Sequence, residues 1–202
     1  MLNTCKQLER EGFIVTYLNV DRYGKIDINE LKRSINNRTI LVSIMFANNE
    51  VGTIEPIKEI ANIVHNYNAI FHTDAVQAIG NVEIDVKDMG IDLLSMSAHK
   101  FYGPKGVGAL YVKDGINFVP LQNGGHQEND KRAGTENVAG IVGLGKAIEI
   151  VNYQMQDRKQ KILELRNYFI DEIKNKIPYI KINGDLENRL PGNINISFLY
   201  TK

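Results

Sequence analysis

Two short apolar runs flank a link of small residues near the middle of the chain. Ile91 to Met96 comes first, then Ser97-Ala98-His99-Lys100-Phe101-Tyr102-Gly103-Pro104-Lys105-Gly106, then Val107 to Val112. Apolar runs of this length bounded by glycine and proline read as strands. A lysine between a buried strand and a glycine-rich turn is out of its usual place, because burying an ammonium is costly. If Lys100 is enclosed, its amine can lose its proton and become a nucleophile, the form that Schiff-base chemistry needs. The alternative is a loop lysine that reaches water along its aliphatic stem. The Gly103-Pro104-Lys105-Gly106-Val107-Gly108 run is no Walker phosphate loop, since no Gly-Lys-Ser/Thr opens a helix there. It reads as a tight turn that restarts the sheet.

The flanking sequence alternates strands with helices. Leu2 to Glu11 reads as a helix stopped by Gly12, and Phe13 to Leu18 as a strand. Asp27 caps a short helix over Glu30 to Ile35, with Glu30 in capping-box position. Thr39 to Met45 reads as a buried strand running into Phe46-Ala47-Asn48-Asn49-Glu50-Val51-Gly52. Pro56 begins an amphipathic helix over Ile57 to Tyr67, and Ala69 to His72 is the next strand. Such alternation predicts an α/β fold with a mostly parallel sheet flanked by helices, whose ligands sit at the carboxyl ends of the strands. Val138 to Lys176 is helical in pattern, as one long helix or two in series, and Pro178 ends it. Tyr179 to Ile182 and Asn193 to Phe198 read as strands of a second unit.

The charge balance excludes some partners. With 24 basic and 24 acidic residues, no basic field points to nucleic acid or to an acidic membrane surface. No apolar run is long enough to span a bilayer, and Asn3, Thr4, Lys6 and Gln7 after Met1 do not read as a signal peptide. The single cysteine, Cys5, excludes an internal disulfide framework and fits a reducing compartment, so a cytoplasmic protein is expected.

Four polar clusters fall at predicted strand ends or in the loops after them: Asn48-Asn49-Glu50, His72-Thr73-Asp74-Ala75-Val76-Gln77, Ser97-Ala98-His99-Lys100 and Arg132-Ala133-Gly134-Thr135. A parallel sheet brings the first three to one rim. Pyridoxal phosphate uses a lysine and a carboxylate in this way, the lysine as Schiff-base partner and the carboxylate as partner of the protonated ring nitrogen. Gln77, Ser97, His99 and Thr135 are suitable donors for the ring oxygen and the phosphate. Each residue also has a plainer reading. Asp74 caps a helix start, Asn48 and Asn49 are turn residues, and His99 is a satisfied interior histidine. His72 and Asp74 with His99 and His126 make a competing metal-ligand set, without the i, i+4 spacing of a helical motif. Cys5 lies among polar neighbours with no candidate base.

The same motifs resemble cysteine desulfurases of the NifS/IscS type, in the class V aminotransferase group of fold-type I pyridoxal-phosphate enzymes. The resemblance rests on His72-Thr73-Asp74-Ala75-Val76-Gln77, on Ser97 to Gly106, on Arg132-Ala133-Gly134-Thr135-Glu136-Asn137, and on Leu41 to Met45 with Asn48-Asn49-Glu50-Val51-Gly52. It extends to the opening run Thr4 to Phe13. It implies that Lys100 carries the cofactor and moves the substrate Cα proton, and that Asp74 pairs with the pyridine nitrogen. Gln77 and Asn49 contact the phenolic oxygen or the substrate, and Ser97 and His99 bind the phosphate. Thr135 reaches the cofactor phosphate of the other subunit in a homodimer. The implied reaction converts L-cysteine to L-alanine and passes sulfur, as a protein persulfide, to an iron-sulfur scaffold or a tRNA-thiolation protein. Residues 1–137 are then part of the cofactor-binding large domain, and 138–202 the connecting helix and the start of a small C-terminal α+β domain. Family segments on both sides, including the persulfide cysteine, have no counterpart here, so the chain is expected to be a central piece of such an enzyme. The alternatives are a selenocysteine lyase or other class V enzyme, and a non-catalytic truncated interaction module.

Overall fold

The computed structural model describes residues 2–200. One sheet holds four strands in the order β1 (Leu41–Met45), β2 (Ile70–Asp74), β3 (Leu93–Ser97) and β4 (Gly108–Val112). The first three are parallel, and β4 turns back antiparallel to β3. Around it lie α1 (Leu2–Arg10), α2 (Ile28–Ser34), α3 (Ile57–His65) and α4 (Val138–Lys176), with an antiparallel pair β5 (Ile180–Ile182) and β6 (Ile196–Phe198) near the end. The expected α/β sheet is present.

Strand alternation gives the sheet two different faces. Registered pairs place Val42 and Ile44 of β1 beside Phe71 and Thr73 of β2, with Leu94 of β3 next in line. Phe71, Thr73 and Leu94 are fully buried, in one core with Ile57, Ile60, Ala61 and Val64 of α3. That spacing is one helical face, and each large aliphatic or aromatic side chain so buried stabilises by about 1.5–3 kcal/mol. The opposite face carries Ser43, Met45, His72, Asp74, Ser95 and Ser97 and is only partly covered.

Several local expectations are corrected. Phe13 to Leu18 forms no strand: the segment lacks a ladder, and only Val20 bridges to Ile26. Its β-branched and aromatic residues favour a strand only when cross-strand neighbours exist, and Ile14 is 86% exposed. β1 begins at Leu41 rather than Thr39 and is an edge strand among the described residues, so Leu41 and Met45 are exposed rather than buried. Asp27 does cap α2, accepting from Asn29 N at 2.8 Å. Glu30 does not complete a capping box, because its carboxylate accepts from the backbone and side chain of Asn19 at 3.0 and 2.9 Å. Residues 73 and 74 lie inside β2, which makes Asp74 the last residue of the strand.

α4 is a single helix of 39 residues, about 58 Å long at 1.5 Å per residue. Its Val151 is buried in the same core as Phe101, and Ala147 and Gly143 lie against Gly103 and Pro104. The helix therefore supports the link that carries Lys100.

At the other end of the sheet, the buried Asp92 carboxylate accepts from Phe71 N at 3.0 Å, His65 Nε2 at 2.8 Å and Lys113 Nζ at 3.0 Å. It pins the ends of α3 and β4 to the start of β3. Burial pushes this carboxyl up, but the three donors outweigh it and hold Asp92 below the usual carboxylate value. A depressed carboxylate contributes stability that is present above its unfolded value and is lost as pH falls through the native one. Thermal unfolding followed by circular dichroism is expected to show a falling midpoint below about pH 4. Asp92→Asn lowers the midpoint at pH 7, by about 3 kcal/mol in stability, and flattens the acid limb. An acid limb unchanged in the variant would contradict the assignment.

Candidate active site

The parallel register ends three strands at one rim. On the partly covered face, His72 bridges its neighbours: Ser43 Oγ lies 2.7 Å from Nδ1 and Ser95 Oγ 2.9 Å from Nε2. Burial pushes the His72 pKa down, and the Asp74 charge, which pulls the other way, does not offset it. Asp74 closes β2 opposite Met45 and Ser95. Its Oδ1 accepts from Val76 N at 3.0 Å, while Oδ2 accepts no hydrogen bond among the described residues. It therefore caps a turn and keeps one oxygen free. That turn, closed by Ala78 N and Ile79 N on Ala75 O, carries Gln77 half-buried beside the strand end.

Ser97 ends β3, and Ala98–Phe101 forms a short 3-10 helix. With three residues per turn, Ala98 and Phe101 fall on one side and are buried, which leaves His99 and Lys100 outward. Of the two readings of Lys100, the structure takes the loop lysine that reaches water: Lys100 is exposed, with no ion pair or hydrogen bond from its amine among the described residues. His99 is likewise exposed rather than interior, with Nδ1 3.0 Å from Ser97 Oγ. Tyr102 then takes a left-handed conformation, φ 68°, which costs an L-residue about 1 kcal/mol or more. Gly103 N closes the turn on Ala98 O at 2.9 Å, and the Arg158 guanidinium of α4 lies 4.4 Å above the Tyr102 ring. A Cβ on Gly103 would come within 2.9 Å of the Ala98 Cβ in its own turn and 3.2 Å of the Ala147 Cβ on α4, so glycine lets the turn close tightly against the helix.

The loop after β1 supplies the third part of the rim. Asn48 is a turn residue, its Oδ1 accepting from Glu50 N at 2.8 Å and Val51 N at 3.0 Å. Asn49 is exposed, with no hydrogen bond from its side chain among the described residues. The segment from Asn183 onward grips this loop. Asn193 Nδ2 donates to Glu50 O at 2.9 Å and Asn49 O at 3.4 Å, and Asn195 Nδ2 donates to Glu50 O at 3.1 Å. Leu190 N donates to Gly52 O at 2.8 Å, and the buried Arg189 guanidinium donates to the carbonyls of Asn183, Asp185 and Asn193. Gly52 has φ 79°, and a Cβ there would collide with the Asn193 carboxamide. Sequence reasoning missed Asn193 and Asn195. Their one local signal is a pair of amides at alternate positions leading into β6.

Thr135 is exposed and makes no hydrogen bond to this rim among the described residues. Its loop is held by Ala133 N on Gln122 O at 3.3 Å and Gly134 N on the Gln127 side chain at 3.0 Å, and neither bond reaches the strand ends. The competing metal set does not assemble. His72 is engaged by two serines, His99 by Ser97 and His126 by Asp130 at 2.5 Å, and among the described residues no three or more His, Cys, Asp or Glu gather to hold a metal ion. Cys5 is partly exposed on α1 and makes no part of the rim. Among the described residues, no helix is long and apolar enough to cross a membrane. The rim thus offers an accessible primary amine, a carboxylate oxygen free to accept, and a hydroxyl-imidazole pair able to hold an anion.

Comparison with known proteins gives the following. A family model described as aminotransferase class-V matches residues 1–202. A Clostridium botulinum protein named cysteine desulfurase IscS is 59% identical over 201 residues, 98% of this chain and 51% of that protein. A solved NifS-like protein superposes with a TM-score of 0.93 at 41% identity, over 98% of this chain and 54% of that one. A structure described as SspA in complex with cysteine gives a TM-score of 0.82 at 39% identity, over 98% of this chain and 55% of that one. The chain thus spans about half the length of the curated relatives it matches.

Removing the Asn193 carboxamide frees the loop after β1. Asn193→Ala is expected to raise amide hydrogen exchange at Gly52, whose N–H donates to Asn48 O, by about tenfold, the scale of one hydrogen bond. Exchange at Asp92 N, in the sheet, stays unchanged. Equal protection of Gly52 in both proteins would show that the carboxamide does not hold the loop.

Proposed function

The chain belongs to the class V aminotransferase family, and from that premise we propose that it supplies the lysine-bearing part of a pyridoxal-phosphate-dependent cysteine desulfurase. The observation that carries this reading is the common rim, where Asp74, Ser97 and the exposed Lys100 stand at or just past the ends of two adjacent parallel strands. The donor set fits the cofactor. The free Asp74 oxygen suits a protonated ring nitrogen, Ser97 and His99 suit a phosphate, and the unpaired Lys100 amine suits an aldehyde.

When bound, pyridoxal phosphate supplies an electron sink for the pair left behind as a substrate Cα–H bond breaks. The chain's own residues do the rest. Lys100 attaches the cofactor and then, as an amine, takes the proton from Cα. Asp74 keeps the ring nitrogen protonated by accepting its hydrogen bond. Ser97 Oγ and His99 hold the phosphate and fix the cofactor beside the lysine. Gln77 and Asn49 donate to the phenolic oxygen or to the substrate. Thr135 serves the phosphate site of a second copy in a homodimer. Residues 1–137 belong to the cofactor-binding domain, and 138–202 carry the connecting helix into a small domain.

The proposed substrate is L-cysteine and the product L-alanine, with sulfur passing as a persulfide to an iron-sulfur scaffold or tRNA-thiolation protein in the cytoplasm. The relatives named cysteine desulfurase and the cysteine complex of a 39% identical protein support the substrate. The test is L-alanine release from L-cysteine by the pyridoxal-phosphate-loaded protein in the presence of an added thiol, which attacks the substrate sulfur and carries it off as a persulfide. Release is expected, with loss of about a hundredfold or more in Lys100→Ala. L-selenocysteine at equal concentration is expected to be no better a substrate. Alanine formation independent of Lys100 would contradict the reading, and strong preference for selenocysteine would move it to a lyase.

A further inference from the structure

His72 has no role in the reading above, yet it is the most connected side chain beneath the rim. β2 carries His72 and Asp74 at alternate positions, so both leave the sheet on one face. The register sets Ser43 of β1 beside His72 and Ser95 of β3 beside Asp74. The imidazole reaches both hydroxyls, at 2.7 and 2.9 Å. A neutral imidazole donates at one nitrogen and accepts at the other, so the two contacts run head to tail across three strands. Burial favours that neutral form.

The consequence falls on Asp74. Ser95 is its direct lateral neighbour on β3, on the same face and within side-chain reach across a sheet. A free Ser95 hydroxyl would be a ready donor to the Asp74 carboxylate. Its oxygen lies 2.9 Å from His72 Nε2, a contact in which the hydroxyl donates when the imidazole proton sits on Nδ1, and Asp74 Oδ2 is left without a donor among the described residues. We propose that His72 is a positioning residue for the cofactor: protonated at Nδ1 toward Ser43 and accepting the Ser95 hydroxyl at Nε2, it keeps one Asp74 oxygen vacant for the ring nitrogen. A cationic ring would donate from both nitrogens and leave the Ser95 proton free for Asp74. The inference rests on the pyridoxal-phosphate reading.

The test is equilibrium binding, followed by absorbance, of pyridoxal phosphate and of its 1-deaza analogue, in which carbon replaces the ring nitrogen. His72→Phe is expected to weaken pyridoxal phosphate about tenfold, the scale of one hydrogen bond, and to leave the analogue unchanged. His72→Gln, which can still engage a serine hydroxyl, retains most of the affinity. Adding Ser95→Ala to His72→Phe restores binding, because the competing donor is gone. Equal weakening of both ligands, or no weakening of either, would overturn the role of His72 and leave the cofactor reading standing. Binding of neither ligand to the unsubstituted protein would overturn the cofactor reading, and this inference with it.

Discussion

The shared direction of β1, β2 and β3 is the constraint on which the rest depends. Because the three strands run the same way in fixed register, residues far apart in sequence finish at one edge: Met45, Asp74 and, across the next pair, Ser95 with Ser97 beyond it. Alternation then sorts each strand into an apolar side that packs on α3 and a polar side that carries serines, His72 and Asp74. The same ladder that builds the core therefore builds the site. A slip of one residue between β1 and β2 or between β2 and β3 would turn the polar set into the core and expose Phe71 and Leu94. Burial of those side chains protects the geometry of the site.

Beyond the ladder, the rim is held by packing and by distant hydrogen bonds. α4 fixes the Lys100 turn through Val151, Ala147 and Gly143, and the left-handed Tyr102 is kept by the Gly103 closure and the Arg158 contact. The Asn48–Gly52 loop is fixed from the other side by Asn193, Asn195 and Leu190, about 140 residues later in the chain. Two long-range supports converge on a site whose Asn49, His99 and Lys100 are themselves exposed. Preorganisation of this kind suits a ligand that must be held in one orientation while a proton moves.

What could be read in the sequence follows the range of the interactions. The Lys100 link, Asp74 and the α3 face were legible because strand, turn and helix periodicity are local and strong. The segment Phe13 to Leu18 was not, because a strand needs a partner and none of the described residues pairs with it. Thr39 to Met45 read as buried from its apolar content, but its place in the sheet leaves it at an edge, which no single strand encodes. Glu30 fits a capping pattern and is drawn instead to Asn19. Whether Lys100 is enclosed or exposed was left open by its sequence, and the three-residue turn settles it by sending the side chain outward. The clamp by Asn193 and Asn195 had no local signature strong enough to connect it with Asn49.

Lys100, in the turn just past β3, is the proposed covalent anchor of a pyridoxal-phosphate site. Borohydride reduction of the protein mixed with pyridoxal phosphate, followed by peptide mapping, tests it most directly. One stable phosphopyridoxyl adduct is expected, on the peptide containing Lys100. An adduct spread over surface lysines such as Lys58, Lys105 and Lys113, or none on Lys100 in folded protein, would contradict it.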